Sequence, residues 1–293
     1  MPEGDSIFRA ARTLHRALAG ALVTRFESMF PALTRVHDDA PLTGRTVESV
    51  QSIGKHILMR FSGDLILRTH MRMNGSWHIY RPGEPWKRPR RDMRIIVGTA
   101  GFEAIGFNIP VAEFIAGRGL QRHDELRRLG PDLLGGDFDE EEAFRRVRAH
   151  ASETIADVLL NQRVMAGVGN VYKSEVLFAC GVNPFRPASE VTDAQVRNLI
   201  ATARRFLQLN VSTQLSPMTT YAGLRRTTGS GDPADRLWVY GRARQPCRKC
   251  GTPIDVKPQG ADVRLTYWCP KCQTYEIGAR SWKLECWRLL GSR

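Results

Sequence analysis

The chain has 293 residues, with 43 Lys and Arg against 30 Asp and Glu, a formal net charge of +13. No apolar run approaches the roughly 20 residues needed to span a bilayer, and the start, acidic at Glu3 and Asp5, lacks the apolar core of a secretory signal. Membrane and exported classes are thereby disfavoured and a cytoplasmic, nucleoid-associated protein is expected. The length suggests two or three domains, and the positive excess suits a polyanion such as nucleic acid, although charge alone fits a basic protein without that partner nearly as well.

Ile7, Ala11, Leu14 and Leu18 recur at helical spacing and Gly20 follows as a stop. They predict a first helix, capped by Asp5 or Ser6, with its positive end facing Pro2 and Glu3. From about Val23 to Val97 the pattern changes to short strands. Ile57, Met59 and Phe61 alternate, Gly63-Asp64 offers a hairpin turn, and Leu65 and Leu67 continue. Residues 80–92, rich in Pro, Arg and Lys, read as an exposed loop, and 94–116 as further strands. This half is expected to be a β-sandwich with the first helix packed on it.

Leu129-Gly130-Pro131 and Gly135-Gly136 break the pattern. Helices are then predicted over about 139–150, 154–161, 170–180 and 193–209, the third ended by Gly181 and Asn183-Pro184, the fourth capped by Thr192. Residues 212–236 carry no periodicity and form a long loop, a length usually functional or disordered. A cysteine module at 237–273 and a tail at 274–293 complete the chain.

Of the six cysteines, four form the pairs Cys247/Cys250 and Cys269/Cys272, separated by eighteen residues. Each pair fits a tight turn that points two sulfurs at one ion, and two such turns complete a tetrahedral zinc site. A closed four-thiolate site leaves no position for substrate, so one structural zinc per chain is expected. Such ions contribute on the order of 10–16 kcal/mol of apparent folding free energy. Cys180 and Cys286 read as ordinary thiols in a reducing compartment. Between the pairs, residues 263–268 read as the second strand of a hairpin, with Arg264 near the turn. A guanidinium there can reach a phosphate bidentately, though an exposed hairpin arginine taken alone is more often simply solvated.

In the stretch 159–172, Gly167 and Gly169 break the chain and Asn170 opens a helix whose N–H groups can hold a phosphate. Without context this is equally a linker between two helices with a capping Asn. At the N-terminus, proline at position two permits removal of Met1. The exposed secondary amine would titrate at roughly 7.7–8.0 and be partly neutral and nucleophilic at physiological pH. Its attack on a sugar C1′ gives an iminium that activates the sugar toward elimination, with Glu3 close enough to serve as acid or base.

The order Pro2-Glu3, Gly54-Lys55-His56, Gly167-Val168-Gly169-Asn170 and the four-cysteine hairpin resembles the formamidopyrimidine-DNA glycosylase/endonuclease VIII family. The start Met1-Pro2-Glu3-Gly4-Asp5 is similar to the endonuclease VIII branch. The resemblance implies an α+β fold: an N-terminal β-sandwich with flanking helices, then a helix–two-turn–helix domain carrying a zinc hairpin. The expected domains are 1–135 (catalytic), 136–236 (helical, DNA-binding), 237–273 (zinc hairpin) and 274–293 (an extension that could cover the finger or bind a partner). It implies a monomeric, bifunctional glycosylase/AP lyase acting on duplex DNA with oxidised bases or abasic sites. Pro2 attacks C1′, Glu3 is the catalytic carboxylate, and Lys55, on the strand before the Gly63-Asp64 hairpin, lies near the lesion phosphate. Asn170 and Arg264 grip flanking phosphates, His70 contacts another, and Met73 fills the space left by the flipped base. Rival readings are a non-catalytic damage-binding protein on the same scaffold and an AP lyase with little base removal.

Some positions depart from the family pattern. Ser6 replaces a carboxylate, Asn161 replaces an Asp before Gln162, and Ala156 stands where the formamidopyrimidine branch has a lysine. That branch's Asp-Pro-Arg-Arg-Phe-Gly loop is absent, the nearest stretch running from Asn108 to Phe114 without an arginine. Oxidised pyrimidines are therefore expected to be preferred over 8-oxoguanine.

Overall fold

The structure, a computed structural model, describes residues 2–212 and 225–275. The described chain packs as two units, which part between Leu129 and Gly130.

The first unit begins with α1 (Gly4–Leu18). Two four-stranded antiparallel sheets follow. One has the order β1 (Val23–Ser28), β6 (Met93–Thr99), β7 (Glu103–Phe107), β5 (Ser76–Tyr80). The other runs β2 (Val47–Ile53), β3 (His56–Phe61), β4 (Leu65–His70), β8 (Val111–Ala116). Ile57, Met59 and Phe61 all enter one core with Val50, Phe26, Ile95, Val97 and Trp77, and Ile7, Leu14 and Leu18 of α1 join it. Each fully buried large side chain contributes roughly 1.5–3 kcal/mol. The period-2 and helical patterns therefore give the sandwich and its first helix as expected.

Three details differ. The cap of α1 is Glu3, not Asp5 or Ser6. Ser6 lies inside the first turn, where its hydroxyl accepts from the Glu3 N–H and donates to the Glu3 carbonyl, both at 2.9 Å. Asp5 is buried there too, paired with Arg9 at 3.3 Å. A helix, α2 (Pro31–Asp39), lies where only strands were expected. Its one sequence signal is Pro31 at the first helical position; Leu33 is its only buried residue, too little to register as an amphipathic face. The third is β4, which buries Ile66, Leu67, Arg68 and Thr69 in succession instead of alternating. Its outer face is covered as well, by α3 (Asp124–Arg127), whose Glu125 reaches Arg68.

The second unit contains α4 (Glu140–Ala149), α5 (Ile155–Leu160), α6 (Asn170–Ala179) and α7 (Asp193–Ser212) around their own apolar core. Asp139 caps α4 and Thr154 caps α5 through their side-chain oxygens. The segment 161–169 turns twice between α5 and α6. Gln162 braces it, donating to the carbonyls of Leu160 and Val168 and accepting from the Gly167 N–H.

The cysteine module ends in a hairpin of β9 (Asp255–Gln259) and β10 (Arg264–Trp268), with Arg264 opposite Gln259. Glu175 of α6 anchors the approach to it. This fully buried carboxylate accepts N–H groups from Trp238 (2.8 Å), Val239 (2.9 Å) and Tyr240 (2.8 Å) and the Thr227 hydroxyl. Burial raises its pKa, against the pull of those four donors. Part of the long loop expected at 212–236, residues 213–224, lies outside the described residues. So does the tail from 276 on, with Trp282, Leu284, Cys286, Trp287, Leu289 and Leu290. Among the described residues no helix is long and apolar enough to cross a membrane.

Candidate active site and nucleic-acid interface

A cavity of about 890 Å³ opens in the first unit. Pro2 and Ser6 line it together with the β4–β5 loop, Arg88, Arg94 and the Asn108–Pro110 segment. Glu3 follows Pro2 and is wholly buried at the start of α1, where the positive end of the helix favours a carboxylate. The Ser6 bonds to the Glu3 backbone hold this junction in place, so the residue that replaces the family carboxylate braces the terminus.

On the cavity wall, the loop after β4 folds tightly: the Gly75 N–H donates to the Met71 carbonyl at 2.9 Å. A Cβ at Gly75 would lie 2.6 Å from that carbonyl oxygen, so no larger residue fits without moving the loop. Arg72 takes a left-handed conformation, φ +44°. The turn leaves Met73 66% exposed on the wall of the cavity, an unusual place for a large apolar side chain.

Lys55 lies in the turn that joins β2 and β3, one residue before the strand on which it was expected. His56 follows it and pairs across the ladder with His70, the two rings meeting edge-on at 4.7 Å. His70 Nδ1 accepts the Arg72 N–H at 3.0 Å. A neutral ring therefore carries its proton on Nε2, which becomes a hydrogen-bond donor. Burial holds the His70 pKa down to about 4; the charges of Lys55, Arg68 and Arg72 add to it and Glu125 opposes. Burial pushes His56 down further, to about 2.

Beneath these histidines lies a group that sequence reasoning missed. Arg68, only 2% exposed, is paired with both Glu113 of β8 and Glu125 of α3, and His123 Nε2 lies 3.0 Å from Glu113. The one signal was a charged residue in an otherwise apolar strand. Arg88 was also seen only as part of a basic loop, and Arg94 only as part of a strand.

In the second unit the structure brings Asn170 and Arg264 to one place. Asn170 is the first residue of α6 rather than its cap; that position belongs to Gly169. Its Nδ2 donates to the carbonyl of Leu265 at 2.9 Å, next to Arg264, while its buried Oδ1 has no partner. Arg264 Nε and Nη2 donate to Asp262 at 3.2 and 3.0 Å. A helix N-terminus, an amide and a guanidinium together suit an anionic oxygen.

The four cysteine sulfurs lie within 4.8 Å of one another, with Cys247–Cys272 at 3.9 Å and Cys250–Cys269 at 3.5 Å. A tetrahedral ion with metal–sulfur bonds of about 2.3 Å requires edges of about 3.8 Å. The Lys249 N–H points at Cys247 Sγ and the Cys272 N–H at Cys269 Sγ, each at 3.4 Å, as suits thiolate acceptors. The cluster is built to hold a metal ion. Cys180, by contrast, donates weakly to the Asn198 carbonyl at 3.7 Å.

Residues 1–108 match the formamidopyrimidine-DNA glycosylase N-terminal domain and 129–221 the H2TH domain of the same enzymes. A probable endonuclease 8 2 of Streptomyces coelicolor is 42% identical over 93% of this chain and 94% of its own. The chain belongs to the formamidopyrimidine-DNA glycosylase/endonuclease 8 family. The DNA-(apurinic or apyrimidinic site) lyase Nei2 of Mycolicibacterium smegmatis is 39% identical over 94% of this chain and 99% of its own. A formamidopyrimidine-DNA glycosylase of Methylococcus capsulatus is 32% identical over 79% and 83%. The fold is shared with Lactococcus lactis formamidopyrimidine-DNA glycosylase bound to DNA containing an abasic site, at a TM-score of 0.77 and 22% identity, covering 94% of this chain and all of that one.

The low pKa of His70 gives a direct test. Burial disfavours the charged ring, holding its pKa down to about 4 in the protein alone, so the expected contact with DNA near neutrality is that of a neutral donor. His70→Gln should weaken DNA binding by the same factor at pH 6 and pH 8 in fluorescence anisotropy. A penalty that grows toward pH 6 would mean that a charged imidazolium makes the contact.

Proposed function

We propose that this family member is a bifunctional DNA glycosylase/AP lyase that excises oxidised bases and cleaves the strand by β,δ-elimination through a Schiff base on Pro2. The observation that carries this reading is the placement of Pro2 on a cavity wall directly before the buried carboxylate of Glu3.

The chemistry follows from the groups present. The Pro2 nitrogen attacks C1′ of a flipped nucleoside and displaces the base, and Glu3, as acid, passes the proton lost by that nitrogen to O4′ as the C1′–O4′ bond breaks and the sugar opens to an iminium. The resulting iminium acidifies C2′–H. Loss of that proton expels the 3′ phosphate, and a second elimination expels the 5′ phosphate. Lys55, beside His56 and His70, places a cation near the lesion phosphate, and neutral His70 offers its Nε2–H to another phosphate oxygen. Met73, already exposed, fills the space left in the stack, offsetting a flipping cost of a few kcal/mol. Asn170 and Arg264 grip flanking phosphates. For Arg264 this means exchanging an exposed ion pair with Asp262, a contact worth only about 0–1 kcal/mol. The ion held by Cys247, Cys250, Cys269 and Cys272 is one structural zinc. Residues 1–135 form the catalytic domain, 136–236 the helical DNA-binding domain, 237–273 the zinc hairpin and 274–293 an extension. Duplex DNA is the partner and the nucleoid the place of action.

The products test the mechanism. A duplex with one dihydrouracil should yield a one-nucleotide gap with phosphate at both ends on a sequencing gel. Glu3→Gln should lose most base removal while largely keeping cleavage of a pre-formed abasic site. Equal loss of both activities would remove Glu3 from the acid role.

Lesion preference depends on what surrounds the cavity. The segment after β7 contributes Asn108, Ile109 and Pro110 and no arginine, so selectivity for a cytosine opposite the lesion should be weak. Single-turnover excision should be faster for dihydrouracil or thymine glycol than for 8-oxoguanine opposite cytosine; the reverse order would assign the protein to purine repair.

A further inference from the structure

A chain of hydrogen bonds, buried at its Lys173 end, crosses from α6 through the hairpin to α5. Lys173 Nζ donates to Thr266 Oγ1 at 2.6 Å, and Thr266 Oγ1 donates to Gln259 Oε1 at 2.8 Å. Gln259 Nε2 donates to Thr154 Oγ1 at 2.6 Å, and Thr154 Oγ1 donates to Asp157 Oδ2 at 2.7 Å. Each hydroxyl has one proton, so its use toward Gln259 or Asp157 obliges it to accept from the other side. The chain therefore runs in one direction, from an ammonium to a carboxylate. Lys173 and Thr266 are 1% and 0% exposed, so the bond between them is closed to water, while Gln259, Thr154 and Asp157 are partly buried.

Its position matters more than its strength. Gln259 is the cross-strand partner of Arg264, and Thr266 lies two residues along the same strand face. The chain thus fixes both neighbours of Arg264. Between them, the carbonyl of Leu265 receives Asn170. At the hairpin turn, a Cβ on Gly260 (φ +71°) would come within 2.7 Å of Asp157 Oδ1, so the turn lies directly against α5. The opposite face of the hairpin leaves Val256 and Leu265 exposed. On that side Tyr267 packs against Tyr240 toward the cysteine end (ring centroids 5.0 Å), and nearer the turn, beside Arg264, the polar chain holds the register.

We infer that Lys173, Thr266 and Gln259 are positioning residues for DNA binding, setting the register of Arg264 against Asn170 so that both reach phosphate oxygens together. The inference rests on the reading of Arg264 as a phosphate contact. Lys173 acts through Thr266 and touches no DNA.

The test is binding of the full-length, zinc-loaded protein to a duplex with a tetrahydrofuran abasic analogue, measured across salt concentrations. Thr266→Val keeps shape and breaks the chain at its centre. It should bind about tenfold more weakly, with a salt slope reduced by about one, the loss expected for a single phosphate contact. Zinc content should be unchanged, and Thr266→Ser should restore affinity. Combining Thr266→Val with Arg264→Ala should weaken binding no further than Arg264→Ala alone. Wild-type affinity and slope in Thr266→Val, or fully additive losses in the double variant, would overturn the inference. If Thr266→Val loses its zinc, Gln259→Met is judged by the same criteria. Normal binding by Arg264→Ala would overturn the phosphate reading beneath it, whereas a weakened Arg264→Ala beside a normal Thr266→Val overturns the positioning role alone.

Discussion

The cysteine hairpin has two five-residue strands and exposes most of β9, so it cannot bury enough apolar surface to order itself, and α6 supplies what it lacks. Over six residues of that helix, Asn170 meets the Leu265 carbonyl, Lys173 meets Thr266, and Glu175 gathers three successive amides from 238–240. These contacts are polar and buried. Such contacts add little net stability for their number, but they tolerate only one register. The proposed DNA clamp would benefit from that trade, because an Arg264 that meets a phosphate must sit at a defined distance from the start of α6. The cysteine cluster closes the far end of the same module, where sulfur spacing and the N–H groups aimed at Cys247 and Cys269 suit a tetrahedral ion.

The first unit solves a different problem, the display of reactive and apolar groups in front of a well-packed sandwich. Ser6 ties down the backbone of Glu3, so the residue before it is held on the cavity wall rather than fraying as termini do. The tight Met71–Gly75 turn holds Met73 outward at the cost of a left-handed Arg72. Behind the turn, Arg68 between Glu113 and Glu125 gives the outer face of the sheet a charged interior. His56 and His70 sit next to this charge and stay neutral. A neutral His70 offers Nε2–H as its donor, the tautomer that the Arg72 N–H selects by donating to Nδ1.

Features encoded by neighbouring residues were legible in the sequence. The two cysteine pairs, the strand alternation of 57–61, the glycine-marked turn before Asn170 and the helical period of 7–18 each rest on short-range chemistry. What escaped depends on partners far away in the chain. Arg68 has its carboxylates 45 and 57 residues later. Glu175 finds its amides more than 60 residues on, and the chain from Lys173 to Asp157 draws on four elements. Nothing in the local pattern distinguishes such residues from solvated ones. The α2 helix escaped for a simpler reason, a single buried residue. The cap of α1 was off by two or three residues and the place of Lys55 by one, which is enough to move a side chain from a strand face to a turn.

The amine of Pro2 beside the carboxylate of Glu3 is the centre of the proposed chemistry, and covalent capture tests it most directly. Borohydride should reduce the intermediate formed with abasic-site DNA to a stable adduct. Peptide mapping should then place it on Pro2 of a chain that has lost Met1, and a form that retains Met1 should trap nothing. An adduct on Lys55 or another lysine, or full trapping with Met1 in place, would contradict the account.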